Sequence, residues 1–164
     1  MNDRRTGAHG LPVFLPHELA AVKREGSTAL AVLSVAGKIQ FGATADPNRW
    51  ARNVADKAKA EAKVLRLEWA PDGQMARQIK GDVERILDSR RVGSNRFDVP
   101  ENLALAALDQ AVDRIGITLR TTRELLASRD VRECKNRVSG YSYKELMKRM
   151  TAAKREYRLL AAVS

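Results

Sequence analysis

The stretch of sequence that decides the fold is KIQFGATADPNR, which runs from Lys38 to Arg49. Its first part, Lys38–Gly42, follows a turn at Ala36–Gly37 and predicts the second strand of a β-hairpin. Asp46–Pro47 then predicts the start of a helix, because aspartate is a favoured N-cap and proline fits the first helical position. The stretch therefore places a strand end, a helix start and the side chain of Arg49 close together.

The flanking sequence predicts an α/β domain with a small, mainly antiparallel three-stranded sheet flanked by helices. The apolar run Leu30–Val35 supplies the first strand, and Val64–Trp69 alternates enough to form the third. Apolar periodicity predicts helices at about 48–63, 74–90 and from Pro100 onward. We expect an N-terminal arm and short helix at 1–27, the α/β domain at 28–116 and a basic helical extension at 117–164.

The charge balance favours polyanionic partners. The chain has 164 residues, and its 30 lysines and arginines against 20 acidic residues give a net charge of +10. Nucleic acid comes first, because each phosphate contact releases counterions. One cysteine and two histidines exclude an internal disulfide and a cysteine-cluster zinc site. Because no run approaches the roughly 18 apolar residues of a membrane span and no hydrophobic signal segment is present, we expect a cytoplasmic protein without membrane contact.

Basic side chains follow one side of the first predicted helix. Apolar residues from Trp50 to Ala62 recur with helical periodicity on the other side. One face of the helix is therefore expected to pack, and the other to form a basic stripe. The residues of this stripe are Arg49, Arg52, Asp56, Lys59 and Lys63.

The string Gly42–Arg49 resembles the core motif of the GIY-YIG nuclease superfamily, in which a strand runs into a Gly-x-Thr-x-Asp/Asn-Pro-x-x-Arg sequence at the start of a helix. The expected order of elements agrees, including an aromatic-bearing extended segment at Arg96–Pro100 before another helix. The resemblance covers residues 28–115. It implies that Arg49 clamps the scissile phosphate, for which the planar guanidinium is suited.

The chain departs from the family pattern at the residues that hydrolysis requires. Leu30–Val35 contains no tyrosine, and Gln40-Phe41-Gly42 stands where Tyr-Ile-Gly is expected. Lys80 stands at the position of the metal-binding glutamate, and a protonated lysine repels Mg²⁺. A displaced carboxylate, Glu84, lies one helical turn further on. The resemblance thus implies a degenerate member of the superfamily that binds no cofactor. A bound Mg²⁺ and a catalytic role for Arg49 are expected only if nuclease activity survives.

We therefore expect a DNA-binding protein that has lost nuclease activity, with a sequence-specific role in transcription regulation by analogy. Two alternatives stay open: an active metal-dependent endonuclease with rearranged residues, and an interaction module for acidic proteins. The candidate DNA-binding residues are Lys38, Arg49, Arg52, Lys59, Lys63, Lys80, Arg90, Arg91, Arg96, Lys144, Lys148 and Arg155.

The C-terminal region predicts one further long helix. The capping box Ser142–Glu145 opens it, and its apolar row continues to about Ala162. That row must be buried, either on the domain or, in a homodimer, against a second copy of the chain. The polar run Ser128–Ser139 before it predicts an irregular connection.

Overall fold

The structure, a computed structural model, describes residues 6–140 together with Glu145, Lys148, Thr151, Ala152 and Arg155. Ser142 of the predicted capping box and most of the long helix after it lie outside the described residues. The described elements are α1 (Pro16–Glu25), β1 (Thr28–Val35), β2 (Lys38–Thr44), α2 (Pro47–Ala58), β3 (Ala62–Ala70), α3 (Gly73–Ile86), β4 (Arg91–Gly93), β5 (Arg96–Phe97), α4 (Glu101–Ile115), α5 (Thr122–Ala127) and α6 (Arg129–Ser139). Short 3₁₀ turns occupy Ala8–Gly10 and Asp88–Arg90.

The predicted α/β class is confirmed, but the predicted number of strands is wrong. The sheet has five antiparallel strands in the order β3-β1-β2-β5-β4. The two additional strands, β4 and β5, are three and two residues long. Strands this short carry no readable alternation of polarity, so the sequence pattern gave only an extended segment there.

The sheet is covered by helices on both faces. Leu30 and Val32 of β1 join α3 and α4 in one buried cluster, while Leu33 and Val35 join α2 in another. Because successive strand residues point to opposite faces, α2 and α3 lie on opposite sides of the sheet.

The start of α2 agrees with the sequence prediction, and its end does not. The Asp46 carboxylate accepts a hydrogen bond from the Arg49 backbone N–H at 3.1 Å, which confirms the predicted N-cap. The helix stops at Ala58, because Lys59 adopts a left-handed conformation with φ 50°. Lys63 consequently lies on β3 rather than on the helix.

A third buried cluster joins the N-terminal segment to the residues after α4. It contains residues of α1 and β1 together with Trp69 of β3, Leu125 of α5 and Val131 of α6. The indole N–H of Trp69 donates to the Thr122 hydroxyl at 3.0 Å. The expectation of an irregular connection at Ser128–Ser139 is wrong, because α6 begins there with Ser128 as its N-cap. Among the described helices, none is long and apolar enough to cross a membrane.

Gly42 lies inside β2 and makes room for an aromatic ring. A Cβ atom at Gly42 would lie 2.5 Å from two ring carbons of Trp50 on α2. We expect Gly42→Ala to destabilise the protein by about 1–3 kcal/mol, because α2 must move away from the sheet.

Gly81 on α3 provides the matched control, since a Cβ there meets nothing within 4 Å. Gly81→Ala should stabilise the protein by about 0.5–1 kcal/mol through helix propensity. The measurement is the urea unfolding midpoint of both variants. A Gly42→Ala midpoint equal to that of the unmodified protein would contradict the close packing.

Candidate functional site

A cleft of about 470 Å³ opens at the outer edge of β2. This strand pairs with β1 along its length, but its outer edge pairs with β5 only at Ile39–Phe97 in the described structure. Beyond Ile39, alternate backbone N–H and C=O groups of β2 therefore face the cleft instead of another strand.

Three separate elements form the walls of this cleft. On one side of the sheet, α2 contributes Trp50, Asn53 and Lys57, and on the other side α3 contributes Lys80. The turn between β4 and β5, with Arg96, closes one end. We call the site the edge cleft and define it by Gln40–Ala43, Trp50, Asn53, Val54, Lys57, Ala58, Lys80 and Ser94–Arg96.

The charged side chains that line the edge cleft are all cationic. Lys57 and Arg96 are exposed and form no ion pair within the described part of the chain. Lys80 is half-buried and pairs with Glu84 at 2.5 Å. Since no aspartate or glutamate is among the lining residues, the positive charge of Lys57 and Arg96 is left uncompensated at the site.

The sequence patterns missed Lys57 as a site residue. It stands one helical turn beyond Asn53 and two beyond Trp50, so all three lie along one side of α2. The apolar residues of that side indicate core packing, and the basic stripe lies on the other side of the helix. The sequence signal that could have identified Lys57 is the pair of polar residues, Asn53 and Lys57, beside the apolar face of the helix.

The structure separates most of the predicted basic residues of α2 from the edge cleft. Arg49 is exposed at the start of the helix and is not a lining residue; its neighbour Trp50 lines the cleft instead. Arg52 borders a different cleft of about 270 Å³, which it shares with His9 and Asp46. Of the predicted DNA-binding residues that the structure describes, Lys80 and Arg96 reach the edge cleft.

Several predicted basic residues are engaged in structural ion pairs. Lys38 pairs with Asp98 at 2.9 Å. The Arg91 guanidinium contacts Asp88 at 3.0 Å and lies over the Phe97 ring, 5.0 Å from its centroid. Such contacts hold the β4–β5 hairpin in place, so these two cations position the end wall of the edge cleft.

The other predicted residues lie elsewhere on the surface. Lys63 on β3 is exposed and 3.7 Å from Glu101, and Arg90 borders an apolar groove between the end of α3 and α4. Lys59 is exposed at the end of α2. Lys148 and Arg155 are helical and exposed, whereas Lys144 lies outside the described residues.

Arg66 is a further cation whose contacts stabilise the fold. Burial lowers the pKa of Arg66 on β3, but hydrogen bonds from its guanidinium to Glu68 and Asp109 outweigh burial and raise the pKa above its ordinary value. Arg66 therefore stays charged and ties β3 to α4.

The carboxylates near the edge cleft do not fit a magnesium ion. Glu84 is occupied by the ammonium group of Lys80, and the buried Asp82 accepts a hydrogen bond from Arg85 at 2.8 Å. Among the residues that the structure describes, no group of three or more histidine, cysteine or acidic side chains is arranged to hold a metal ion. A hard cation needs several oxygen ligands, and here it would meet a fixed positive charge.

Comparison of the chain with family models, with curated proteins and with solved structures finds no match.

Proposed function

We propose that the protein binds DNA through the edge cleft and does not hydrolyse it. The observation that carries this proposal is the convergence of Lys57 and Arg96, which form no ion pair among the described residues, on a cleft that the Glu84-paired Lys80 also lines and whose lining residues include no carboxylate. Like charges brought together repel one another unless an anion joins them. A phosphodiester backbone supplies that anion and releases counterions when it binds.

The absence of hydrolysis is proposed on the state of Glu84. Its carboxylate is 2.5 Å from the Lys80 ammonium, and both side chains are mostly buried. Separating a half-buried pair leaves one charge without a partner, so Glu84 does not turn freely towards a metal ion. Lys80 stands where the resemblance expects the metal-binding glutamate. It also holds Glu84, the carboxylate that could have replaced that glutamate.

We also propose that the chain is a degenerate relative of the GIY-YIG nucleases. Two positions at which the resemblance expects hydrolytic residues, Gln40 for a tyrosine and Lys80 for the glutamate, line the same cleft. They are distant in sequence, so their meeting supports the resemblance. Arg49 stands apart from them, and its proposed phosphate contact would use the exposed start of α2.

Sequence-specific regulation and a homodimer through the C-terminal helix stay predictions. The exposed Lys148 and Arg155 would add phosphate contacts beyond the edge cleft. Phosphate contacts position a protein on DNA, whereas specificity needs contacts with base edges.

Salt dependence of DNA binding tests the proposal. Replacing both Lys57 and Arg96 by alanine should weaken binding and reduce the slope of log affinity against log salt by about 1.8, that is about 0.9 per lost phosphate contact. The measurement is fluorescence anisotropy with labelled DNA at several salt concentrations.

The matched control replaces Lys23 and Arg24, two exposed cations in the last turn of α1, by alanine. It removes the same charge at a distance from the edge cleft and should leave the slope nearly unchanged. Equal loss of slope in both double variants would assign binding to net charge and overturn the site. Salt-independent binding, or none, would overturn the proposed function.

Incubation with supercoiled plasmid tests the loss of hydrolysis. With Mg²⁺ or Mn²⁺ present, we expect the plasmid to stay supercoiled, because Lys80 holds the Glu84 carboxylate. Gel electrophoresis measures the nicked fraction. Nicking that disappears in Glu84→Gln but persists in Glu133→Gln, which alters an exposed ion pair on α6, would establish the endonuclease alternative.

A further inference from the structure

We infer that the edge cleft holds a single unpaired nucleotide, with its base against the edge of β2 and its phosphate at the basic rim. The inference deepens the proposed function and rests on it for the source of the nucleotide. The lining of the edge cleft combines apolar surface, neutral hydrogen-bonding groups and cations. These three kinds of group match the face of a base, its edge and its phosphate.

The size of the edge cleft matches one nucleotide and is too small to enclose a duplex. Its volume of about 470 Å³ lies within the range of about 300–1,000 Å³ that is usual for small-ligand sites. It is lined by four consecutive residues of β2, Gln40–Ala43, which span about 13 Å at about 3.3 Å per residue. A paired base is enclosed by its partner and its stacked neighbours, so it reaches such a site only when unpaired.

The α2 wall offers an apolar surface for the face of a base. Trp50 and Val54 are half-buried and line the cleft, and Trp50 is seated against the backbone at Gly42. A fixed aromatic ring loses little conformational freedom when a base packs on it. Contacts between bases and aromatic rings tolerate every base, because each has a π-face.

Donors and acceptors for the edge of a base come from the backbone and from amide side chains. The unpaired edge of β2 presents N–H and C=O groups in alternation, and Gln40, Asn53 and Asn95 line the same space. Amide side chains donate and accept at once. The edges of bases also carry hydrogen-bond donors and acceptors side by side. In a duplex these groups pair with the other strand, whereas in an unpaired base they are available.

An acidic peptide and a second copy of this chain fit the edge cleft less well. A peptide added as a strand would find four cleft residues of β2, because β5 already pairs at Ile39, whereas strands usually have about 5–6 residues. Two copies joined through their β2 edges would bring Lys57 and Arg96 of both towards one another. Cations at an exposed edge are a known protection against such pairing.

The test compares single-stranded and duplex probes of the same sequence, labelled with fluorescein and about 12 nucleotides long, a length typical of single-strand sites. We expect the single strand to bind more tightly than the duplex. Asn53→Ala should weaken single-strand binding about tenfold, the loss typical of one base-edge contact, without changing the salt slope. Gln78→Ala, which removes an exposed amide on α3 outside the cleft, should change neither.

Nucleoside 5′-monophosphates form a second arm, measured by isothermal titration calorimetry. Saturable binding that Asn53→Ala weakens supports the nucleotide site, and the ratio of strand to monophosphate affinity shows whether the nucleotide belongs to a strand or is free. Tight duplex binding with no preference for the single strand and no effect of Asn53→Ala overturns the inference while leaving the proposed function in place. Displacement of the single strand by a peptide of alternating glutamate and valine, at equal concentration, also overturns it.

Discussion

The contact between Trp50 and the backbone of Gly42 fixes how closely α2 approaches the sheet, and the edge cleft depends on it. Because glycine lacks a side chain, the indole ring rests on β2 itself. The residues one and two turns further along the helix, Asn53 and Lys57, are thereby held beside the free edge of the strand. One steric condition at one position thus sets an entire wall of the site.

The other walls follow from where the sheet stops. β5 pairs with β2 at a single residue pair, so the β4–β5 hairpin covers only the start of β2. The outer edge of the rest of that strand is left without a neighbouring strand in the described structure. Lys38, Asp98 and the Arg91–Phe97 contact keep that hairpin in position. The site is therefore built at a discontinuity in the sheet, where backbone groups and charged side chains from both faces become accessible together.

The sequence predicted what depends on local patterns and missed what depends on tertiary placement. The hairpin and the Asp46 cap follow from short-range signals, and both are present. The end of α2 was not predicted because the left-handed residue that ends the helix is Lys59. Glycine is the usual sequence signal for that conformation, and none stands there. Of the site, Lys80 and Arg96 were among the predicted residues, whereas Lys57 became recognisable only once the direction of the packed side of α2 was known.

The packing of α1 against α5 and α6 joins segments that are far apart in the sequence. Arg120 donates to Glu25 across a separation of 95 residues, and the same cluster buries Trp69 completely. Contacts this distant close late and slow the search for the native state. During synthesis, α1 therefore cannot complete this packing until the residues through Val131 have been made. Until then, the indole of Trp69 lacks its Thr122 hydroxyl partner, and the apolar surface that Leu125 and Val131 later cover stays exposed to water.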